Sequence, residues 1–319
     1  MLAYNDNLDV LTQNGIKNLF QVTEEDQSLN FDNEWVPIKI KKDAYKGLFY
    51  TFKAVSGLPI TSTPEQLFWT IPKEQIHPHT IDFIPKLKQA QDIKRKDCLL
   101  IGIDDRIENI QQVNCGDIMM PITPELLELI GIYVSLGTFS KEDEDIYFFT
   151  SNQEVIEKIA KLSKIFNSHK DIVSFLNNLS TEWIRYLNPD LQFYYVKGLF
   201  QKKTVSLKPI ARYYTDNKQI VYDIVHILNR LHINPSIKFY AGHYTIEINN
   251  NFGKFLAHCF YQDKEYKYVY DKHNVVYDWN GHKYLKFPVY KVTKQNDTKE
   301  VCSVSATSFT ICNIKCEGE

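Results

Sequence analysis

His77 and His79 flank Pro78, and paired imidazoles can hold a metal ion. With a proline between them and no cysteine close by, they read as an exposed loop instead. The acids Asp104-Asp105 and the run Asp143 to Asp145 stand apart from any base partner and from phosphate-cradling glycines. The six cysteines, Cys98, Cys115, Cys259, Cys302, Cys312 and Cys316, contain no Cys-x-x-Cys pair, and only the last two are close together. That spacing favours reduced thiols in an intracellular protein over a disulfide or metal framework. Neither a Ser/His/Asp arrangement nor a Gly-rich loop is present. The common enzyme chemistries therefore find no support, and attention shifts to the elements that repeat.

The run Leu129 to Phe139 carries Gly131, and the run Tyr195 to Val205 carries Gly198. Downstream, Phe148-Phe149-Thr150-Ser151-Asn152 is matched by Tyr213-Tyr214-Thr215-Asp216-Asn217. Thr150 and Thr215 are 65 positions apart and the two glycines 67 apart, a gap that a two-residue loop difference explains. Each copy ends in an amphipathic segment: Val155, Ile159, Leu162 and Ile165 share one helical face, as do Ile220, Ile224, Ile227 and Leu231. Ser151 and Asp216 are the expected N-caps. A duplicated helix, strand, helix unit results, with repeats at about 121–168 and 186–260.

The flanks follow a different period. Leu8–Thr12, Gly15–Val22, Trp35–Ile40, Gly47–Val55, Leu67–Ile71 and Cys98–Ile103 alternate with period two, which predicts strands. The chain turns strand-like again at Tyr266–Tyr270, Val275–Trp279, Tyr284–Val292, Val301–Val304 and Phe309–Ile314, with Asn280-Gly281 as a hairpin turn. Each flank looks too small to bury a core alone. One discontinuous β domain, 1–118 with 263–319, interrupted by an α+β domain at 119–262, is therefore expected. At 319 residues, 44% hydrophobic and 24% charged, the composition is that of a soluble globular protein. A net charge of -2 provides no global field for nucleic acid. The start of the chain has no basic region followed by an apolar run, and no apolar stretch approaches the roughly 18 residues that span a membrane. An intracellular place, cytoplasmic or nuclear, with no membrane partner and no small-molecule substrate, is the expectation.

These blocks resemble known families. Met1-Leu2-Ala3-Tyr4 followed by Val10 to Gly15 resembles the opening of inteins and other Hint-fold proteins. Gly57-Leu58-Pro59-Ile60-Thr61-Ser62-Thr63-Pro64-Glu65-Gln66 resembles the second intein block, Gly-x-x-Ile-x-x-Thr-x-x-His. Ala90-Gln91-Asp92-Ile93 before Asp97 and Leu99-Leu100 resembles a later one, and Pro288 to Val292 and Phe309 to Ile311 resemble the closing pair. The central duplication resembles LAGLIDADG homing endonucleases, whose two repeat helices pack on small residues and carry two saddle-shaped sheets over DNA. A plain β-sandwich without intein ancestry is the competing reading of the flanks.

The resemblance also implies which residues would act, and here the sequence departs from it. Splicing would need a nucleophile at Met1, a proton-exchanging histidine at Gln66 and a His-Asn pair at Glu317-Gly318; a thioether, an amide, an acid and a glycine stand there. Nuclease chemistry would need a divalent-cation carboxylate at the end of each repeat helix, and those positions are Leu136 and Lys203. No catalytic residue, metal or cofactor is expected, and magnesium would enter only if the chain were an active site-specific endonuclease. Lys202, Lys203, Lys208 and Arg212 lie where that family contacts phosphates, although a solvated strand face explains them equally well. The matching segment of the first copy, Lys141 to Asp145, is acidic and would repel a duplex. Tyr213 and Tyr214 are expected to pack rather than stack on bases. The functional expectation is a protein that has lost both chemistries and binds double-stranded DNA or another protein; a structural component without nucleic acid is the further alternative.

Overall fold

The computed structural model of the chain describes residues 3–5, 9–30, 34–38, 40–54, 60–76, 83–104, 106–200, 211–231, 233, 235–248, 276–279 and 282–304. In chain order the first strands are β1 (Ala3–Asn5), β2 (Asp9–Thr12), β3 (Gly15–Asn18), β4 (Gln27–Leu29), β5 (Trp35–Pro37), β6 (Ile40–Ala54), β7 (Ile60–Ser62), β8 (Leu67–Ile71), β9 (Lys86–Gln89), β10 (Cys98–Gly102), β11 (Gln112–Cys115) and β12 (Ile118–Pro121). The central block follows with α1 (Pro124–Leu136), β13 (Gly137–Ser140), β14 (Asp145–Phe148), α2 (Gln153–Leu162), α3 (His169–Asn177), α4 (Pro189–Leu199), β15 (Ala211–Thr215), α5 (Lys218–Arg230), β16 (Ser236–Tyr240) and β17 (His243–Ile248). The last described elements are β18 (Val276–Trp279) and β19 (His282–Val304).

Strand β19 joins the two ends of the chain. It pairs antiparallel with β1, β6 and β10, so a strand near the C-terminus lies inside a sheet that, apart from β18 beside it, is built from the first 102 residues. The sequence suggests two strands at Tyr284–Val292 and Val301–Val304, but they are one element. The polar stretch between them still pairs, Lys294 with Tyr50 and Thr298 with Lys46, and its lysines lie over the aromatic rings of β6, Lys294 Nζ 5.1 Å from the Tyr50 ring centroid and Lys299 Nζ 5.8 Å from that of Phe49. Trp279 pairs with His282, the register of a hairpin whose two turn residues lie outside the described ones, as do Tyr266–Tyr270 and Phe309–Ile314. Val10, Ile38, Phe52, Ile60, Phe68, Leu99, Ile101 and Val289 form the core of this part.

The central block has its own core, built on α1 and α4. Thr123 caps α1 by accepting the Leu126 N–H (3.2 Å), and Pro124 follows as the first helical residue. Asn188 and Pro189 open α4 in the same manner. The expected N-caps of the amphipathic helices are each off by one: Asn152 caps α2 and Asn217 caps α5. In both copies the asparagine oxygen accepts the N–H two residues on, and the preceding threonine hydroxyl accepts the asparagine N–H. Helix α3 and the β11–β12 hairpin carried no recognised signal. Val113 and Cys115 of that hairpin bury with the helices although they precede position 119.

The two repeat helices meet backbone to backbone. A Cβ placed on Gly131 would collide with the Tyr195 carbonyl oxygen and approach the Leu199 nitrogen to 2.8 Å. On Gly198 it would collide with the Glu128 carbonyl oxygen and approach the Ile132 nitrogen to 2.9 Å. Position 128 corresponds to 195, 131 to 198 and 132 to 199 by the same 67-residue offset found in the sequence, so the contact is its own mirror. Helices this close exclude every residue but glycine at the crossing.

The two cores are joined by a polar hub. The Arg106 guanidinium lies 4.2 Å over the Trp35 ring and 4.7 Å over the Tyr186 ring, and Asp104 pairs with it at 2.9 Å. Arg230 of α5 donates to the Asp104 carbonyl (2.8 Å), the Leu187 carbonyl (3.1 Å) and Gln192 Oε1 (3.3 Å). From the β2–β3 hairpin, Gln13 O accepts the Tyr186 hydroxyl at 3.2 Å. Gly15, with φ +106°, closes that hairpin against the Arg185 guanidinium, where a side chain would not fit.

Candidate functional site: the ends of the helix pair and the two small sheets

Helix α1 stops at Leu136, and β13 begins at the next residue. The Leu136 side chain is buried in the central core and its carbonyl accepts the Phe149 N–H at 2.7 Å. An apolar side chain offers no ligand atom there. The nearest acids are engaged elsewhere: Asp143 accepts from Ser140 Oγ (3.0 Å) and Tyr147 hydroxyl (2.9 Å), and Asp145 meets His169 Nε2 at 2.8 Å. The Ile146 N–H and His169 hold the Asp145 carboxyl below its ordinary range. Glu142 and Glu144 are exposed at the hairpin tip. Lys202, Lys203 and Lys208 lie outside the described residues, as do Met1, His77, His79, Glu317 and Gly318.

The first small sheet, β13 with β14, thus presents Thr138 opposite Tyr147 and Ser140 opposite Asp145, ending in an acidic turn. The second sheet has the order β15-β17-β16. Its inner face holds Tyr213, which is buried against Phe200 and donates its hydroxyl to the Val134 carbonyl at 3.3 Å. Burial pushes that phenol up to about 12. Its outer face places Arg212 opposite Glu247 and Tyr214 opposite Thr245, with Lys238 beside Thr245 and Tyr240 beside His243. Arg212 Nε and Lys238 Nζ each lie 2.7 Å from a different Glu247 oxygen. Burial alone would raise the Glu247 carboxyl, but hydrogen bonds from Lys238 and Arg212 outweigh it and hold the group ionised below its ordinary range. Two cations against one anion leave the face with one formal positive charge, and Tyr240 is 83% exposed beside them.

Packing was expected of both Tyr213 and Tyr214, but alternation in a strand buries the first and leaves the second 47% exposed. Arg212 is tied to Glu247, which carried no sequence signal because its partners come from two other strands, Arg212 35 positions away and Lys238 nine. Lys238, 61% exposed at its side chain, was also missed. A further tie unites three helices: Glu128 of α1, nearly buried, receives Lys158 of α2 at 2.9 Å and Lys197 of α4 at 3.3 Å.

Gln66, the position of the expected intein histidine, is buried in a turn before β8. Its side-chain nitrogen donates to the Leu67 carbonyl (3.1 Å), and its own carbonyl accepts the Ala90 N–H (2.7 Å). Asp97 is fully buried and accepts the Lys73 and Lys94 N–H groups (2.8 and 2.9 Å) and Lys88 Nζ (2.9 Å). Both residues hold chain segments together. The two described thiols that are free, Cys98 and Cys115, are buried, and burial pushes Cys98 up to about 11.

No family model matches the chain, and no curated protein matches it either. Among solved structures it is similar to the homing endonuclease I-DmoI in complex with DNA and Mn, at 17% identity over 45% of this chain and 100% of that one, with a TM-score of 0.34. Mesophilic variants of I-DmoI give 16% identity, 43% and 94% coverage and a TM-score of 0.33. A splice-inactive variant of the AceL NrdHF class 3 split intein gives 16% identity, 39% and 72% coverage and a TM-score of 0.25. Among the described residues, no helix is long and apolar enough to cross a membrane.

Proposed function

We propose that this chain is an intein- and homing-endonuclease-derived protein that acts by binding double-stranded DNA, without splicing or cutting it. The observation that carries the reading is the contrast at the helix pair: its glycine crossing is closely packed while the residue at the end of α1 is a buried leucine, and Asp143 and Asp145 of the hairpin that follows are bonded to Ser140, Tyr147 and His169. Packing of that kind preserves a scaffold for two sheets, and an aliphatic side chain cannot hold the cation that would activate water. The β15-β17-β16 face supplies the contact, with Arg212, Lys238 and exposed Tyr240 facing outward and Glu247 trimming their charge. Cations in such a place give affinity for phosphates without reading sequence.

The test is duplex binding measured across salt concentrations, together with incubation of the same duplexes with magnesium. Binding that weakens steeply with salt, with no cut product, is expected. Salt-insensitive or absent binding would overturn the DNA reading in favour of a protein partner, which the acidic β13–β14 turn would suit. The rival nuclease reading draws on the same intact helix crossing, and chelator-sensitive cleavage would establish it.

A further inference from the structure

We propose that the hub between the two cores is an acid-released latch, with His226 as the group whose protonation opens it. His226 lies on α5, is 4% exposed, and packs edge-on against Tyr186 with ring centroids 5.9 Å apart. Its Nε2 is buried without a hydrogen-bond partner in the structure and stands 3.7 Å from Asp104 Oδ2. That oxygen already serves Arg106 Nη2 at 2.9 Å.

The charged groups around the ring come from three places. Asp104 and Arg106 lie on the segment after β10, Arg185 lies on the short 3-10 turn Glu182–Tyr186, and Asp223 and Arg230 lie on α5 itself. Arg185 Nη1 faces Asp223 at 3.5 Å, and Glu182 lies at the exposed margin, 3.9 Å from Arg185. Three guanidinium groups thus share two buried carboxylates before His226 takes any proton. A fourth cation would have as its nearest acceptor Asp104 Oδ2, 3.7 Å away and already bonded to Arg106, and a buried charge without a close partner is costly. Burial holds the imidazole neutral down to about 3; Asp104 opposes this, while Arg230, Arg185 and Arg106 reinforce it.

A histidine released to water takes its proton near 6.5, so the open hub binds more protons than the closed one. Opening is therefore disfavoured above that pH and grows steadily more favourable as pH falls below it. The hub is where the β2–β3 hairpin, the Trp35 ring and α5 meet, so release would free the β-rich part to move against the central block.

Hydrogen exchange of the full chain, read as protection factors in α5 and the Glu182–Tyr186 turn, tests this between about pH 7.5 and pH 5. Linkage at one such histidine predicts an increase of about 30-fold in opening over that range. His226→Gln and His226→Phe should abolish most of the increase, and an unchanged acid response in either variant would overturn the proposal. A proton NMR titration of His226 in the unaltered chain serves if both variants fail to fold. An imidazole that stays neutral to about pH 5 while the hub is closed supports the latch, and titration near its ordinary value would sink it.

Discussion

The two halves of the central block agree where they touch each other and diverge where they face outward. At the crossing, Gly131 and Gly198 make reciprocal contacts at one fixed sequence offset. At the periphery, one half has a two-stranded sheet ending in Glu142, Asp143 and Glu144, and the other a three-stranded sheet carrying Arg212, Lys238 and Tyr240. Packing at van der Waals distance tolerates almost no change, whereas a solvated sheet face accepts any polar residue at small cost. A duplicated scaffold can therefore keep its axis while its two arms acquire opposite charge.

The reciprocity is the most demanding part of this comparison to test. Gly131→Val and Gly198→Val should each cost about 3 kcal/mol or more in a urea melt, because a side chain would force the helices apart. Unequal costs would mean that the contact is less symmetric in solution than its geometry. At the second sheet, Glu247→Gln releases Arg212 and Lys238, and duplex affinity at low salt should rise about 10-fold. Lys238→Ala should weaken binding several-fold and lower the salt slope by about one. The smallest effect is expected from Asp143→Asn at the first hairpin, an increase of about twofold that salt erases, since exposed charges are screened. If that change matched Glu247→Gln, both sheets would be contributing to a single binding surface.

Much of the fold was legible because local rules governed it. Period-two alternation marked β2, β8 and β10, and period 3.6 marked α5, each within a residue or two of its observed ends, whereas α2 stops at Leu162 and Ile165, expected on its face, lies in the 3-10 turn Ser163–Ile165. The caps were misplaced by one position because serine and aspartate at 151 and 216 are also good caps, and the choice fell to the threonine before each, which turns the asparagine inward. The length of β19 was not legible, since its polar middle has no alternating apolar pattern and is held by cross-strand pairing with β6 and by lysines set over Tyr50 and Phe49 of that strand. At the candidate site, Leu136 and Gln66 could be named from spacing, but their burial and hydrogen bonds could not. Glu247, Lys238, Glu128 and the His226 hub gave no signal at all.

By itself the sequence determined the duplication, its offset, and the residue types at the end of α1, because these are properties of order along a chain. Tertiary structure alone decided that two glycines 67 positions apart become one contact, that Glu247 neutralises part of a basic face, and that His226 is shut among arginines without a hydrogen bond to its Nε2. Charge balance and burial depend on which distant segments come within a few ångströms, and no local pattern encodes that distance.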